Sequence, residues 1–284
     1  MKILMFGETG QVAQAIIARA GDVEIIAMGR DQADLGTPDM IRAAIAATDA
    51  DVIVNAAAYT AVDRAEDDRD AAEQLNHFAV GTMARAAAKR DLPLLHISTD
   101  YVFAGNGTSA WQPDDETGAI NHYGATKRRG EEAMEIAGGR HAILRTSWVF
   151  SSTGSNFVKT MLRLGAERDA LTIVGDQIGG PTAANDIADA LLVMARSFAD
   201  GRHVSGIYHF SGGPDCSWAD FASEIFDQAG IACAVTPIPT ADYPTAAPRP
   251  LNSRLDCSKL ETDFGVTRPN WRLSLATVLK ELSA

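Results

Sequence analysis

The strongest constraint on this chain is how it begins. A strand-like run over residues 2–6, apolar from Ile3 onward, ends directly on Gly7-Glu8-Thr9-Gly10-Gln11-Val12-Ala13. A strand that is apolar on successive residues is buried on both faces, and that calls for covering layers on both sides, as in a parallel sheet. Val12, Ile16 and Ile17 follow at helical spacing. Gly7 permits a tight turn, Gly10 lets backbone approach a pyrophosphate at the helix N-terminus, and Ala13 allows close helix–strand packing. Such glycine turns are common. This one takes its meaning from standing between a buried strand and an amphipathic helix.

The same alternation continues. Further strands are expected at 23–28, 51–55, 93–97 and 141–145, with helices opened by Thr37-Pro38-Asp39 and over 71–90 and 123–137. This predicts an α/β fold, a Rossmann-type doubly wound parallel sheet with right-handed crossovers, over residues 1–150. Beyond 150 the rhythm changes. Short strands are expected at 171–174 and 206–210, and helices at 184–198, 218–229 and 274–282, the second started by Ser217 with Asp220 three residues on. Five of the eleven prolines fall between 237 and 250, giving a stiff loop that leads into Arg249. Residues 151–284 therefore read as a smaller, mainly substrate-binding α/β lobe, with some segments returning to pack on the first domain.

Composition narrows the partners. A net charge of −12 argues against nucleic acid or an anionic membrane, so any anion site must be local. No apolar run approaches the roughly 18 residues of a membrane span. Three cysteines, odd in number and without metal spacing, suit a reduced, cytoplasmic protein.

The chemistry converges on 98–127. Tyr123 alone among five tyrosines has a lysine four positions on, and on a helix Tyr123 and Lys127 share one face. An ammonium beside a phenol is expected to lower its pKa and make it an exchangeable acid near neutral pH. Such a pair is commonly just an exposed contact; its weight here comes from Thr99, which ends an apolar run and brings a second hydroxyl to the sheet edge. Between them, residues 104–122 form a long polar loop of a length often associated with function. Arg30, past the second strand, favours a 2′-phosphate and hence NADPH, while adjacent Asp31 keeps NADH open; Asp34 and Leu35 would border the adenine. The small residues before Tyr59 and Thr60 would let the cofactor lie against backbone. Trp148 fits a sugar-pocket floor or a core position equally well.

Gly7-x-Thr-Gly10-Gln-Val-Ala13, Asn55-Ala-Ala-Ala-Tyr-Thr60, Ser98-Thr-Asp-Tyr-Val-Phe103, Tyr123-Gly-x-x-Lys127 and Arg249-Pro-x-Asn-Ser-x-Leu255 occur in that order. Together they resemble the extended short-chain dehydrogenase/reductases, and most closely the dTDP-4-dehydrorhamnose reductase family among them. The likeness spans nearly the whole chain; the second, third and fifth motifs are the ones that narrow it.

The resemblance implies hydride transfer from a reduced nicotinamide to the C4 ketone of a dTDP-6-deoxy-hexulose. By position it makes Tyr123 the proton donor, Thr99 a hydrogen-bond partner of the same oxygen, and Lys127 the holder of the nicotinamide ribose. It assigns Gly7, Gly10, Gln11, Val12, Arg30, Asp34, Leu35, Ala58, Tyr59 and Thr60 to the dinucleotide. Asp100 and Trp148 would touch the sugar nucleotide, and Arg249, Asn252 and Arg254 its diphosphate region. Some relatives dimerise around Mg²⁺ held by glutamates, but Ala15 and Asn185 stand at the aligned positions. A monomer or a different homodimer is therefore expected, without that metal. Asp100 is followed by Tyr101, so the acid pair of related dehydratases is missing. Two alternatives remain at this level: a non-catalytic NADP-binding subunit resembling the regulatory subunit of methionine adenosyltransferase, and a reductase or epimerase of another nucleotide sugar.

Overall fold

The computed structural model describes residues 1–202 and 205–283. Its frame is a six-stranded, all-parallel sheet built from β1 (Lys2–Phe6), β2 (Glu24–Met28), β3 (Val52–Asn55), β4 (Leu94–Thr99), β5 (His141–Thr146) and an edge strand at Gly206–His209. The order β2-β1-β3-β4-β5 followed by the edge strand places β1 beside both β2 and β3. The chain thus reverses its direction of travel across the sheet between β1 and β3, where open α/β sheets bind ligands.

Both faces are covered, as the apolar runs require. Ile3 and Met5 of β1 point into one core with α1 (Gln11–Arg19). Leu4 and Phe6 point into the other, with α2 (Pro38–Ala47). The expected helix over 71–90 is three pieces: α3 (Arg69–Glu73), a π turn at Gln74–Phe78, and α4 (Ala79–Lys89). A π turn widens the backbone locally and often marks a functional site. Here it presents buried Asn76, whose side chain bonds both the N–H (2.8 Å) and the C=O (3.0 Å) of Tyr59. Then come α5 (His122–Ala137), α6 (Phe157–Glu167) and α7 (Ala184–Ala199), which packs on α1 within the first core.

A third apolar cluster joins α6, α8 (Trp218–Ala229) and α10 (Trp271–Leu282), with Phe221 and Trp271 at its centre. Beside it Ala170–Val174 pairs in parallel with Ala234–Ile238. The remaining helix, α9 (Ser258–Phe264), lies against the edge strand. The Ser217–Asp220 capping box starts α8 as expected. Thr37 sits at the α2 N-cap without a side-chain bond, so only Pro38 acts there. The closing helix starts at Trp271, three residues earlier than expected, because Asn270 accepts the N–H of Arg272 (3.0 Å). β4 and β5 also run to Thr99 and Thr146, past their expected ends.

The loop expected at 104–122 is pinned along its length. Phe103 stacks on Trp111 at 4.7 Å, and Trp111 Nε1 donates to Asn252 O (3.1 Å). The backbone of Trp111 bonds Arg254 O, and that of Asn252 bonds Gly105 O.

The α5 helix is tied to β5 by a fully buried ion pair. Arg145 Nη2 lies 2.7 Å from Glu131 Oε2, and Arg145 Nε donates to Oε1 at 2.9 Å. Glu131→Ala leaves an unpaired buried guanidinium and is expected to cost about 3–5 kcal/mol. Urea unfolding of the two proteins checks this; an effect below about 1 kcal/mol would mean the pair does not anchor the helix.

Candidate active site

The carboxyl ends of β1, β3, β4 and β5 open onto a cavity of about 510 Å³. Thr99 reaches it as the last residue of β4, and Tyr123 and Lys127 from the first two turns of α5. The start of α5 is fixed by Asn121, whose Oδ1 accepts from Gly124 N–H (2.8 Å) while its Nδ2 donates to Pro248 O (2.9 Å). The three groups expected to act together therefore line one wall-to-wall space.

Their electrostatics differ from the expectation in one respect. Lys127 is held by the sheet beneath it. Its Nζ donates to Ile97 O at 2.7 Å and lies 3.1 Å from His96 Nε2. Burial instead raises the Tyr123 phenol well above its ordinary value, with the charge of Asp100 adding to it and a hydrogen bond with Thr99 opposing it. The phenol is thus protonated at neutral pH, the state a proton donor needs. Burial lowers the Lys127 ammonium to about 8, while Glu131 works against that shift.

Asp100 is 2 % exposed, and burial pushes its carboxyl up to about 6. Among the described residues, three buried side-chain atoms have no hydrogen-bond partner: Ser98 Oγ, Asp100 Oδ2 and Thr146 Oγ1. All three residues line this cavity. Unpartnered buried polar groups are rare and costly, and their clustering here suits a polar ligand.

The other end of the cavity fits a dinucleotide. Gly7 has φ +98°, and a Cβ there would meet Ala57 N at 3.1 Å. Gly10 caps α1 without any side-chain bond, which leaves the first amides of the helix to an anion. Gln11, Val12, Ala58 and Thr60 are on the wall. Tyr59 is not: its hydroxyl donates to Asp68 (3.1 Å), so only its backbone borders the turn. Arg30, Asp34 and Leu35 also lie off the wall. The Arg30 side chain is exposed and 3.7 Å from Asp34, and Leu35 is in the second core.

A second cavity, about 690 Å³, lies between α6, Ala170–Val174 and the proline loop. It shares Tyr101 and Trp218 with the first, so the two cavities are neighbours across these side chains. Trp148, in the left-handed region at φ +49°, stacks on Trp218 at 3.7 Å and lines the first cavity. Arg249 reaches the second cavity while paired with Asp63 at 2.7 Å. Arg254 and Asn252 reach neither. Arg254 bonds Asn252 Oδ1 (3.0 Å), and Asn252 Nδ2 bonds Asn106 O and Ser109 O, so both hold the 104–112 loop. Sequence reasoning missed Asn76, Phe157, Gln177, Trp218 and Tyr243. Only Trp218, beside the Ser217 cap, carried a local signal.

A doubly wound sheet with a dinucleotide turn, and a Thr–Tyr–Lys set over its carboxyl edge, defines an extended short-chain dehydrogenase/reductase, a nicotinamide-dependent oxidoreductase. Within that class the chain belongs to the RmlD substrate binding domain family, whose model matches residues 1–284. It is 44% identical to a dTDP-4-dehydrorhamnose reductase of Sinorhizobium fredii, covering 96% of this chain and 95% of that one. It is 40% identical to the Salmonella typhimurium reductase of the same name, covering 99% and 98%. A crystal structure of a dTDP-4-dehydrorhamnose reductase from Clostridium acetobutylicum superposes with TM-score 0.94 at 34% identity over 100% of both chains. The Bacillus anthracis reductase in complex with NADP gives 0.92 at 31% identity, covering 99% of each.

Tyr123→Phe removes only the acidic hydroxyl. Turnover is expected to fall more than about a hundredfold with an unchanged melting temperature, and near-normal turnover would contradict the assigned acid. Lys127 gives a pH-dependent prediction. Its folded pKa lies below its unfolded one, so the cost of burying its charge is fully present below pH 8 and fades between about 8 and 10.5. Lys127→Met should therefore be more stable than the parent at pH 7, by about 1–3 kcal/mol, and less so at pH 9. Parallel urea titrations at the two pH values check the sign.

Proposed function

We propose that this protein reduces the C4 ketone of dTDP-4-dehydro-L-rhamnose to dTDP-L-rhamnose, with NADPH as reductant. The observation that carries the reading is the convergence of Thr99, Tyr123 and Lys127 on one cavity that begins at a dinucleotide turn. The Sinorhizobium fredii and Salmonella typhimurium relatives, which match across nearly its whole length, carry the name of this reaction.

The cofactor, when bound, supplies the hydride. The amides at the start of α1 bind its diphosphate, Gly7 and Ala57 admit it to the backbone, and Lys127 holds the nicotinamide ribose. Tyr123, protonated before the reaction, hydrogen-bonds the ketone oxygen and passes its proton to that oxygen as charge develops. Thr99, turning its hydroxyl away from Asp100 Oδ1, donates to the same oxygen; a positioned donor of this kind is worth roughly 3–4 kcal/mol. Asp100 and Trp148 meet the sugar, and the larger cavity beyond Tyr101 takes the nucleotide, with Arg249 leaving Asp63 for the diphosphate. Arg30, two residues past β2, would leave Asp34 to reach a 2′-phosphate.

A non-catalytic NADP-binding subunit is disfavoured because relatives matching nearly the whole chain are named as reductases. The test is NMR analysis of the product after incubation with NADPH and the dTDP-keto sugar, with UDP and GDP sugars in parallel. Formation of dTDP-L-rhamnose is expected. Oxidation of NADPH with only the UDP or GDP sugar would assign a neighbouring substrate, and none with any sugar would contradict an enzymatic role.

A further inference from the structure

Lys127 does not stand alone under the cavity. It ends a buried chain of hydrogen bonds that crosses two strands. Asn55 of β3 and His96 of β4 are directly opposed in the sheet. They are 1 % and 0 % exposed, and Lys127 is 2 % exposed. Ala57 N–H donates to Asn55 Oδ1 (3.1 Å), Asn55 Nδ2 lies 3.0 Å from His96 Nδ1, and His96 Nε2 lies 3.1 Å from Lys127 Nζ.

Counting protons along this chain fixes their positions. The backbone N–H of Ala57 can only donate, so it orients the Asn55 amide with its oxygen toward Ala57 and its nitrogen toward the imidazole. The amide nitrogen can only donate, so His96 Nδ1 must accept. His96 is uncharged, because complete burial opposes its cation. Its single proton is therefore on Nε2 and points at Lys127. An ammonium at Nζ would face that N–H donor to donor. An uncharged amine can accept it and still donate to Ile97 O. Turning the Asn55 amide over only moves the conflict, since its nitrogen would then face the Ala57 N–H. The chain is satisfied throughout with one proton fewer than a charged lysine brings.

We propose that Asn55 and His96 are positioning residues: a tautomer lock that makes the Lys127 amine a hydrogen-bond acceptor and favours its uncharged form in the cofactor-free protein. The other charged groups around α5 leave this arrangement standing. Glu131, on the same helix, favours the cation but is engaged by Arg145. Asp100, at the turn after β4, acts on Tyr123 and accepts from Thr99. On the far side, Glu73 pairs with Arg129 and His77, and Glu66 with Arg69 and the N–H of His122. The lock is independent of which sugar the enzyme reduces.

The test is NMR on the cofactor-free protein, with no substrate present. Long-range ¹H–¹⁵N spectra read the tautomer of His96, and the ¹³Cε signal of Lys127, assigned with Lys127→Met, reads its titration. Asn55→Ala removes the donor to Nδ1 without adding charge and frees the imidazole to accept from the lysine. The expected result is a proton on Nε2 in the parent protein, and a Lys127 titration that rises by about one pH unit or more in Asn55→Ala. A proton on Nδ1 in the parent overturns the proposal, and so does an unchanged Lys127 titration in the folded variant. If Asn55→Ala does not fold, the parent tautomer decides alone.

Discussion

The site depends on how closely α5 is seated on its neighbours. A Cβ on Gly124 would lie 2.0 Å from Tyr101 O, and one on Gly130 would lie 2.1 Å from Asn76 O. The helix thus rests directly on backbone at two points, one at the catalytic turn and one at the π turn. Buried Thr126, between them, accepts from Asn76 Nδ2 (3.1 Å). With Asn121 capping its start and Glu131 paired below, the helix has little freedom to slide or roll. That rigidity puts a phenol and an amine over the end of β4, and catalytic geometry tolerates little looseness.

The segments after residue 150 do more than build the second cavity. The edge strand and α7 complete the sheet and its covering layer, so the chain after residue 150 serves both lobes. Gln11, at the dinucleotide turn, accepts from Ser151 and Asn156 and so joins the first helix to the start of α6. Trp148 is held in a left-handed backbone conformation, which costs on the order of 1–3 kcal/mol for a non-glycine residue. Its ring is thereby laid on Trp218 where the two cavities meet. In a chain of net charge −12, the groups proposed to meet anions are local: the first amides of α1, and Arg249, here paired with Asp63.

The sheet was legible in the sequence because its strands are buried on both faces and read as unbroken apolar runs. That Thr99, Tyr123 and Lys127 share one cavity was legible because hydroxyl, phenol and amine are chemically distinctive and two of them share a helical face. What stayed hidden depends on contacts between distant segments. Nothing local in residues 71–90 announces a π turn; it follows from Asn76 having to reach Tyr59 and Thr126 together. Lys127 was expected to tune its helical neighbour, yet the long side chain finds better partners in the sheet below. Arg254 and Asn252 sit in the motif that also provides Arg249, and only packing shows that they grip a loop. The wall of the second cavity comes from α6, Ala170–Val174 and the proline loop, which no single stretch of sequence brings together.

The account rests on where the dinucleotide ends relative to Tyr123. A crystal structure of the complex with NADPH and dTDP measures that directly. The account predicts the diphosphate at the start of α1 and the nicotinamide C4 facing Thr99 and Tyr123, with room for a carbonyl at a reacting distance of about 3–3.5 Å. A nicotinamide turned away from Tyr123, or a dinucleotide lodged in the cavity beside α6, would contradict it.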